Sequence, residues 1–102
     1  DGDVVETAPG LPAGAAEVGR RVALGGAALV VDYGDWRSQD DTLQALSRHR
    51  RADPLEAPGQ ADLTAHVDFE ALALAAAPAR HTRLSTQGAF LERLGIEARA
   101  AR

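Results

Sequence analysis

The sequence predicts an α/β fold, and three observations carry that reading. The run Ala27-Ala28-Leu29-Val30-Val31-Asp32-Tyr33-Gly34 is apolar, holds two adjacent valines and is entered through Gly25-Gly26. A run of this length between glycines reads as a buried strand, most often from a parallel sheet. The segments behind it read as a mixed stretch, a helix, a short strand and a second helix, the order expected of the second half of an α/β sheet. The third observation is a thin apolar content: of 102 residues 45% are hydrophobic, but much of that is alanine, with two Phe, one Trp and one Tyr. A complete, well-packed domain from this chain alone is therefore marginal.

Taken in order, Val4-Val5 predicts a short strand and Pro9 to Gly14 a loop. Ala15 to Ala23 holds one or two helical turns, weakened by Gly19. Gly25-Gly26 precedes the strand rather than following one, so it reads as a turn and not as a phosphate cradle. Asp35 to Asp41 is a polar loop carrying the single Trp36. The carboxylates at 32, 35, 40 and 41 match no calcium-loop spacing, and no metal site is expected. Thr42 to His49 fits a helix through Leu43 and Leu46, or a strand with Thr42, Gln44, Leu46 and Arg48 on one face. Arg48-His49-Arg50-Arg51 reads as a solvated face, with an anionic partner as the alternative.

Asp53 to Gln60 is a turn-rich loop in which Pro58-Gly59 marks a tight turn. Asp68 is placed to cap a helix from Phe69 to about Ala77, with Phe69, Leu72, Ala73 and Ala76 as its buried stripe and Pro78 ending it. His81 to Ser85 predicts a further short strand. Thr86 then caps a helix whose apolar side is Phe90, Leu91 and Leu94, Gly95 suits the left-handed position after it, and Glu97 to Arg102 adds one more turn.

Composition narrows the function. A net charge of −4 argues against a general nucleic-acid binder, which carries a basic stripe. With no Cys, disulfides and thiolate metal sites are excluded. No run approaches the length of a membrane span, and a soluble, cytoplasmic setting is the default expectation. The chain has no Met and no Lys, all eleven basic residues being Arg. That pattern suggests a GC-rich bacterial genome and a piece of a longer protein.

Three blocks taken together resemble one family. They are Ala28-Leu29-Val30-Val31-Asp32-Tyr33-Gly34, Ala61-Asp62-Leu63-Thr64-Ala65-His66-Val67-Asp68-Phe69, and Thr86-Gln87-Gly88-Ala89-Phe90-Leu91-Glu92-Arg93-Leu94-Gly95-Ile96, with Asp41-Thr42-Leu43-Gln44 and Asp53-Pro54-Leu55…Pro58-Gly59 in order between them. The pattern resembles the C-terminal half of the MidA-like class I S-adenosylmethionine-dependent methyltransferases. Mitochondrial members methylate an arginine on a subunit of respiratory complex I. The resemblance implies part of a Rossmann-like methyltransferase sheet, incomplete in this chain. Residues 1–24 would lead in, and 25–102 would form the C-terminal half of the domain.

The family's upstream strand and glycine-rich cofactor turn have no counterpart here. Glycines let backbone N–H groups approach a ligand at a strand end, so without them the chain should not hold S-adenosylmethionine by itself. The implied reading is the acceptor side of a methyltransferase. Asp32 and His66 are the expected catalytic pair, with Tyr33, Gly34, Asp62, Thr64 and Asp68 as substrate-binding residues. Carboxylates would grip the planar guanidinium of an arginine bidentately, and a base would deprotonate it. Each residue also has a structural explanation: Asp32 as a loop cap, Tyr33 as core, Asp68 as helix cap, His66 as a hydrogen-bonded structural histidine. The expected partners are a protein substrate and either the missing N-terminal half or a second copy, and the alternative function is a non-catalytic binding or assembly module.

Overall fold

In the computed structural model, residues 4–101 are described. The first three residues and Arg102, which bound the two expected segments, lie outside them. The elements that position the site are two short sheets and a pair of packed helices. Helix α1 spans Leu11–Val22, and strands β1 (Gly34–Asp35), β2 (Gln44–Ser47), β3 (Arg50–Ala52), β4 (Asp62–Thr64) and β5 (Val67–Asp68) follow. Helices α2 (Phe69–Ala75), α3 (Gln87–Arg93) and α4 (Ile96–Ala100) complete the order. Strands β1 and β5 pair in parallel, while β3-β2-β4 form an antiparallel ribbon. The fold class is α/β, as the element pattern predicts.

Helix α1 begins a turn earlier than the glycine and proline content suggests. Pro12 falls in its first turn, where a missing backbone N–H has no intrahelical acceptor to lose. Gly19, a helix-weakening residue by propensity, is what lets α1 lie on α2. A Cβ at position 19 would sit 2.1 Å from the Ala76 carbonyl oxygen. Helix α2 starts at Phe69 because Asp68 caps it, its carboxylate accepting from the Ala71 N–H at 2.8 Å. Its expected stripe, Phe69, Leu72, Ala73 and Ala76, is half-buried, while Leu74 on the other side is exposed. Thr86 caps α3 in the same way, and Gly95 takes the left-handed conformation between α3 and α4.

Three expectations are corrected. The strand foreseen over Ala27 to Gly34 forms no ladder before Gly34; Leu29 is 72% and Val31 63% exposed. Strand backbone must pair with a neighbour, and among the described residues none lies alongside this run. Only its far end, Gly34–Asp35, finds one, in β5. Val4-Val5 and His81 to Ser85 are likewise extended or irregular and unpaired, since two to five residues without an adjacent edge cannot hold a strand. The Thr42–His49 ambiguity resolves as a strand, β2, because it has neighbours on both sides.

The interior is small. Ala15, Ala45 and Thr42 are the buried non-glycine residues among those described, and Ala45 at 2% is the deepest. The radius of gyration is 16.9 Å, against about 13 Å for a closed domain of this length. Many of the larger apolar side chains, Leu24, Leu29, Leu55 and Leu74 among them, are exposed and do not contribute to it.

Candidate functional site

The parallel β1–β5 pair holds Gly34 and Asp68, with Asp32, Tyr33 and His66 in the segments just before the two strands. Gly34 faces Val67 and Asp35 faces Asp68. The Val67 N–H donates to the Tyr33 carbonyl at 2.8 Å, and the Glu70 N–H donates to the Trp36 carbonyl at 2.8 Å. Gly34 has to be glycine here: a Cβ would lie 2.2 Å from the Val67 carbonyl oxygen. Tyr33-Gly34-Asp35 is thereby laid along His66-Val67-Asp68, two stretches more than thirty residues apart in sequence.

A second clamp holds the same junction from behind. Thr42, 7% exposed, accepts from the His66 N–H through its hydroxyl at 2.9 Å. That hydroxyl in turn donates to the Glu6 carboxylate, whose other oxygen accepts from the Thr42 N–H at 2.9 Å. One threonine thus ties the N-terminal segment, the start of β2 and the β4–β5 turn together. The Thr42 hydroxyl, ahead of its two backbone N–H partners at Thr42 and Leu43, pulls the Glu6 carboxyl below its ordinary value against some desolvation. On the outer side Arg37 grips Glu70 with two bonds of 2.6 and 2.8 Å, lowering the Glu70 carboxyl as well. Glu6 and Thr42 were not singled out from the sequence. A threonine followed by a strand carries no signal of its own, and its partner lies thirty-six residues away.

The individual side chains divide. Asp32, Tyr33 and His66 are exposed, Tyr33 to 72%, so the core role considered for Tyr33 does not hold. Asp32 accepts from the Tyr33 N–H at 2.8 Å, a local turn bond. Asp68 commits one oxygen to capping α2. Asp62 and Thr64 are not part of the junction. They lie in β4, opposite Leu46 and Gln44 of β2, and Asp62 lines a separate cavity of about 560 Å³ with Leu46, Ser47, Arg48, Gly59, Gln60 and Ala61. Alternation along β4 puts both side chains on the outer face of the antiparallel ribbon. A smaller cavity of about 290 Å³ lies among Trp36, His81, Arg83 and Leu84, with the Trp36 and His81 rings 5.6 Å apart.

Two glycine positions test the fit to a nucleotide cofactor. The Cβ position of Gly34 is taken by the Val67 backbone, so this glycine serves the close approach of two strands. Gly25 and Gly26 close the C-terminus of α1, both N–H groups donating to the Val22 carbonyl. Among the described residues no glycine stands at a strand-to-helix turn with free N–H groups.

Comparison with known proteins decides the lineage. A family described as "Putative S-adenosyl-L-methionine-dependent methyltransferase" matches residues 1–88. The chain belongs to this family, the MidA-like methyltransferases. The mitochondrial protein arginine methyltransferase NDUFAF7 of Homo sapiens is 41% identical over 99 residues, covering 95% of this chain and 22% of that protein. The Danio rerio protein of the same name is 46% identical over 76 residues, covering 74% of the chain and 18% of the relative. The homologue from Drosophila melanogaster is 42% identical over 78 residues, again 74% of the chain and 18% of the relative. The chain therefore spans about a fifth of the length of the curated relatives it matches. S-adenosyl-L-methionine is the cofactor of the family. The bacterial cytoplasmic setting is corrected: these relatives are mitochondrial proteins of animals. Arginine in place of lysine reports on codon usage and carries no information about compartment.

Proposed function

We propose that this chain is the acceptor-side part of an S-adenosylmethionine-dependent protein arginine methyltransferase. In this reading residues 25–102 form the C-terminal half of the methyltransferase domain and residues 1–24 lead into it. The observation that supports it is the doubly clamped junction, in which Tyr33-Gly34-Asp35 runs along His66-Val67-Asp68 through the Gly34–Val67 register and Thr42 bonds to His66, with Asp32 one residue before the paired stretch. A substrate guanidinium is planar and donates in a fork, so a carboxylate such as Asp32 grips and orients it. His66 accepts the proton that the acceptor nitrogen must lose. Tyr33 stacks on the flat acceptor, and Gly34 keeps that wall thin. Asp62 and Thr64, on the outer face of the ribbon, contact more distant parts of a protein substrate.

The chain's own residues supply orientation and proton handling, and the cofactor wall comes from outside the described residues. Leu29, Val30 and Val31 take their place as an inner strand once a neighbouring strand covers them, either the N-terminal half of the domain or a second copy of this chain. Alanine replacement of Asp32 and of His66 in the full-length protein tests the assignment through the rate of methyl transfer to the arginine acceptor. Wild-type rates in both variants would remove these two residues from the mechanism.

That no described glycine stands at a strand-to-helix turn favours one second reading, a non-catalytic binding or assembly module of α/β type. Calorimetry with S-adenosylmethionine tests the premise that the two readings share, and methyl transfer separates them. Under either reading the chain by itself gives no heat of binding, and micromolar binding would show that the cradle lies within it. Methyl transfer on joining the chain to the missing half supports the enzyme reading, and its absence in a folded, cofactor-bound protein supports the module.

A further inference from the structure

The turn joining β2 to β3 uses residues that its geometry disfavours. Ser47 pairs with Arg50, leaving Arg48 and His49 as a two-residue loop, and both have positive φ, at 51° and 63°. A turn of this type is normally made by Asn-Gly, because a Cβ in the left-handed region crowds the following carbonyl. The chain instead places an arginine and a histidine there and follows them with two more arginines. All four side chains are exposed. The register puts Arg51 opposite Leu46 and Arg50 opposite Ser47, on alternate faces of a thin ribbon.

These cations are not neutralised locally. Among the described residues the ion pairs involve Arg20, Arg21 and Arg37, not the hairpin arginines. The nearest following acid, Asp53, uses its carboxylate to accept from the Leu55 N–H at 2.8 Å. Strand β3 lies at the edge of its sheet, so one side of its backbone is unpaired. Arg48 also lines the 560 Å³ cavity together with Ser47, Gln60 and Asp62, the one carboxylate of that lining, which forms no ion pair with the hairpin arginines among the described residues.

We propose that this hairpin is a docking surface for an acidic, extended polypeptide segment, whose Asp and Glu side chains pair with Arg48, Arg50 and Arg51. An extended chain presents side chains alternately to two sides, which suits arginines on both faces of a ribbon, and the β3 edge offers it main-chain partners. Guanidinium groups match carboxylates bidentately. A nucleic acid is the poorer fit, because the chain is acidic overall at −4 and the basic cluster does not extend into a stripe. The proposal concerns binding alone and stands independently of methyl transfer.

The test is fluorescence anisotropy of a short labelled peptide alternating Glu and Ala, titrated with the full-length polypeptide. It should bind at least about tenfold more tightly than the peptide with Gln in place of Glu, and more weakly as salt rises. Arg50→Gln with Arg51→Gln should weaken binding about tenfold, while Arg80→Gln with Arg99→Gln, which removes equal charge elsewhere, should change it less than about twofold. His49→Gly keeps all three arginines, relaxes the turn and should leave affinity within about twofold, so a folding defect in the arginine variant is recognised by circular dichroism against it. Equal affinity for the Gln peptide, equal loss in the two double variants, or a salt-insensitive Kd would overturn the proposal. So would a phosphoserine peptide or an RNA oligonucleotide binding about tenfold more tightly than the Glu peptide.

Discussion

The α1–α2 pair and the run from Ala27 to Val31 make an instructive contrast. Helix α1 is poor in large apolar groups, carries two internal glycines, and yet is ordered and packed, burying Ala15 and Gly19. The run after it has the densest aliphatic sequence in the chain and is left exposed without a ladder. A helix closes its own backbone hydrogen bonds and needs one neighbour for one stripe, whereas a strand needs partners along its edges before its side chains count for anything. Local hydrophobicity therefore does not rank these segments by order; the availability of a backbone partner does.

The contrast is broken most forcefully at Gly19. Replacement by Leu puts a Cβ into the Ala76 carbonyl and should separate α1 from α2 at about 3 kcal/mol or more. Chemical denaturation would register it, and an unchanged midpoint would mean that the helices do not touch there. Gly34→Ala attacks the β1–β5 junction by the same means, with about 2 kcal/mol expected, and should also raise the exchange rate of the Val67 amide.

Thr42→Val keeps the shape but leaves Glu6 and the His66 N–H without their partner. The expected loss is about 1–3 kcal/mol, with Thr42→Ser restoring much of it. Equal stability of the valine and serine variants would argue that the hydroxyl plays no part. The pH dependence follows from the same bonds. Glu6, Glu17 and Glu70 are all held below the ordinary carboxylate value of 4.5 by Thr42, by Arg20 and Arg21, and by Arg37 respectively. The folded state then binds fewer protons than the unfolded one, so stability is full above about pH 4.5 and falls as the pH drops through the lowered values. An unfolding midpoint flat from pH 5 to 3, as order-of-magnitude bounds on that window, would contradict it. The smallest effect belongs to the exposed run: Val31→Thr in the chain by itself should change stability by less than about 0.5 kcal/mol. A larger loss would reveal that the run is already covered by a second copy.

The caps and turns were legible because each is a local device. Asp68 and Thr86 accept from an N–H three residues on, Pro58-Gly59 makes a tight turn with Gly59 at φ 84°, and Gly95 takes the left-handed position. The β1–β5 contact that sets Tyr33 and Gly34 beside His66 and Val67 is not legible in either segment, nor is the position of Asp62 and Thr64 outside it. The reason is register. One face of β4 or the other, and one sheet or the other, depends on which strand β4 pairs with, and that is absent from its own residues.

By itself the sequence determined the α/β class, the helix caps, the tight turn at Pro58-Gly59 and the family, because each rests on residues close together or on an ordered set of motifs. Tertiary structure alone decided that Gly19 and Gly34 are contact residues, that Thr42 and Glu6 lock the junction, and that the most strand-like run has no ladder. Close approach, paired edges and burial are relations between distant segments, and their energies exist only once those segments meet.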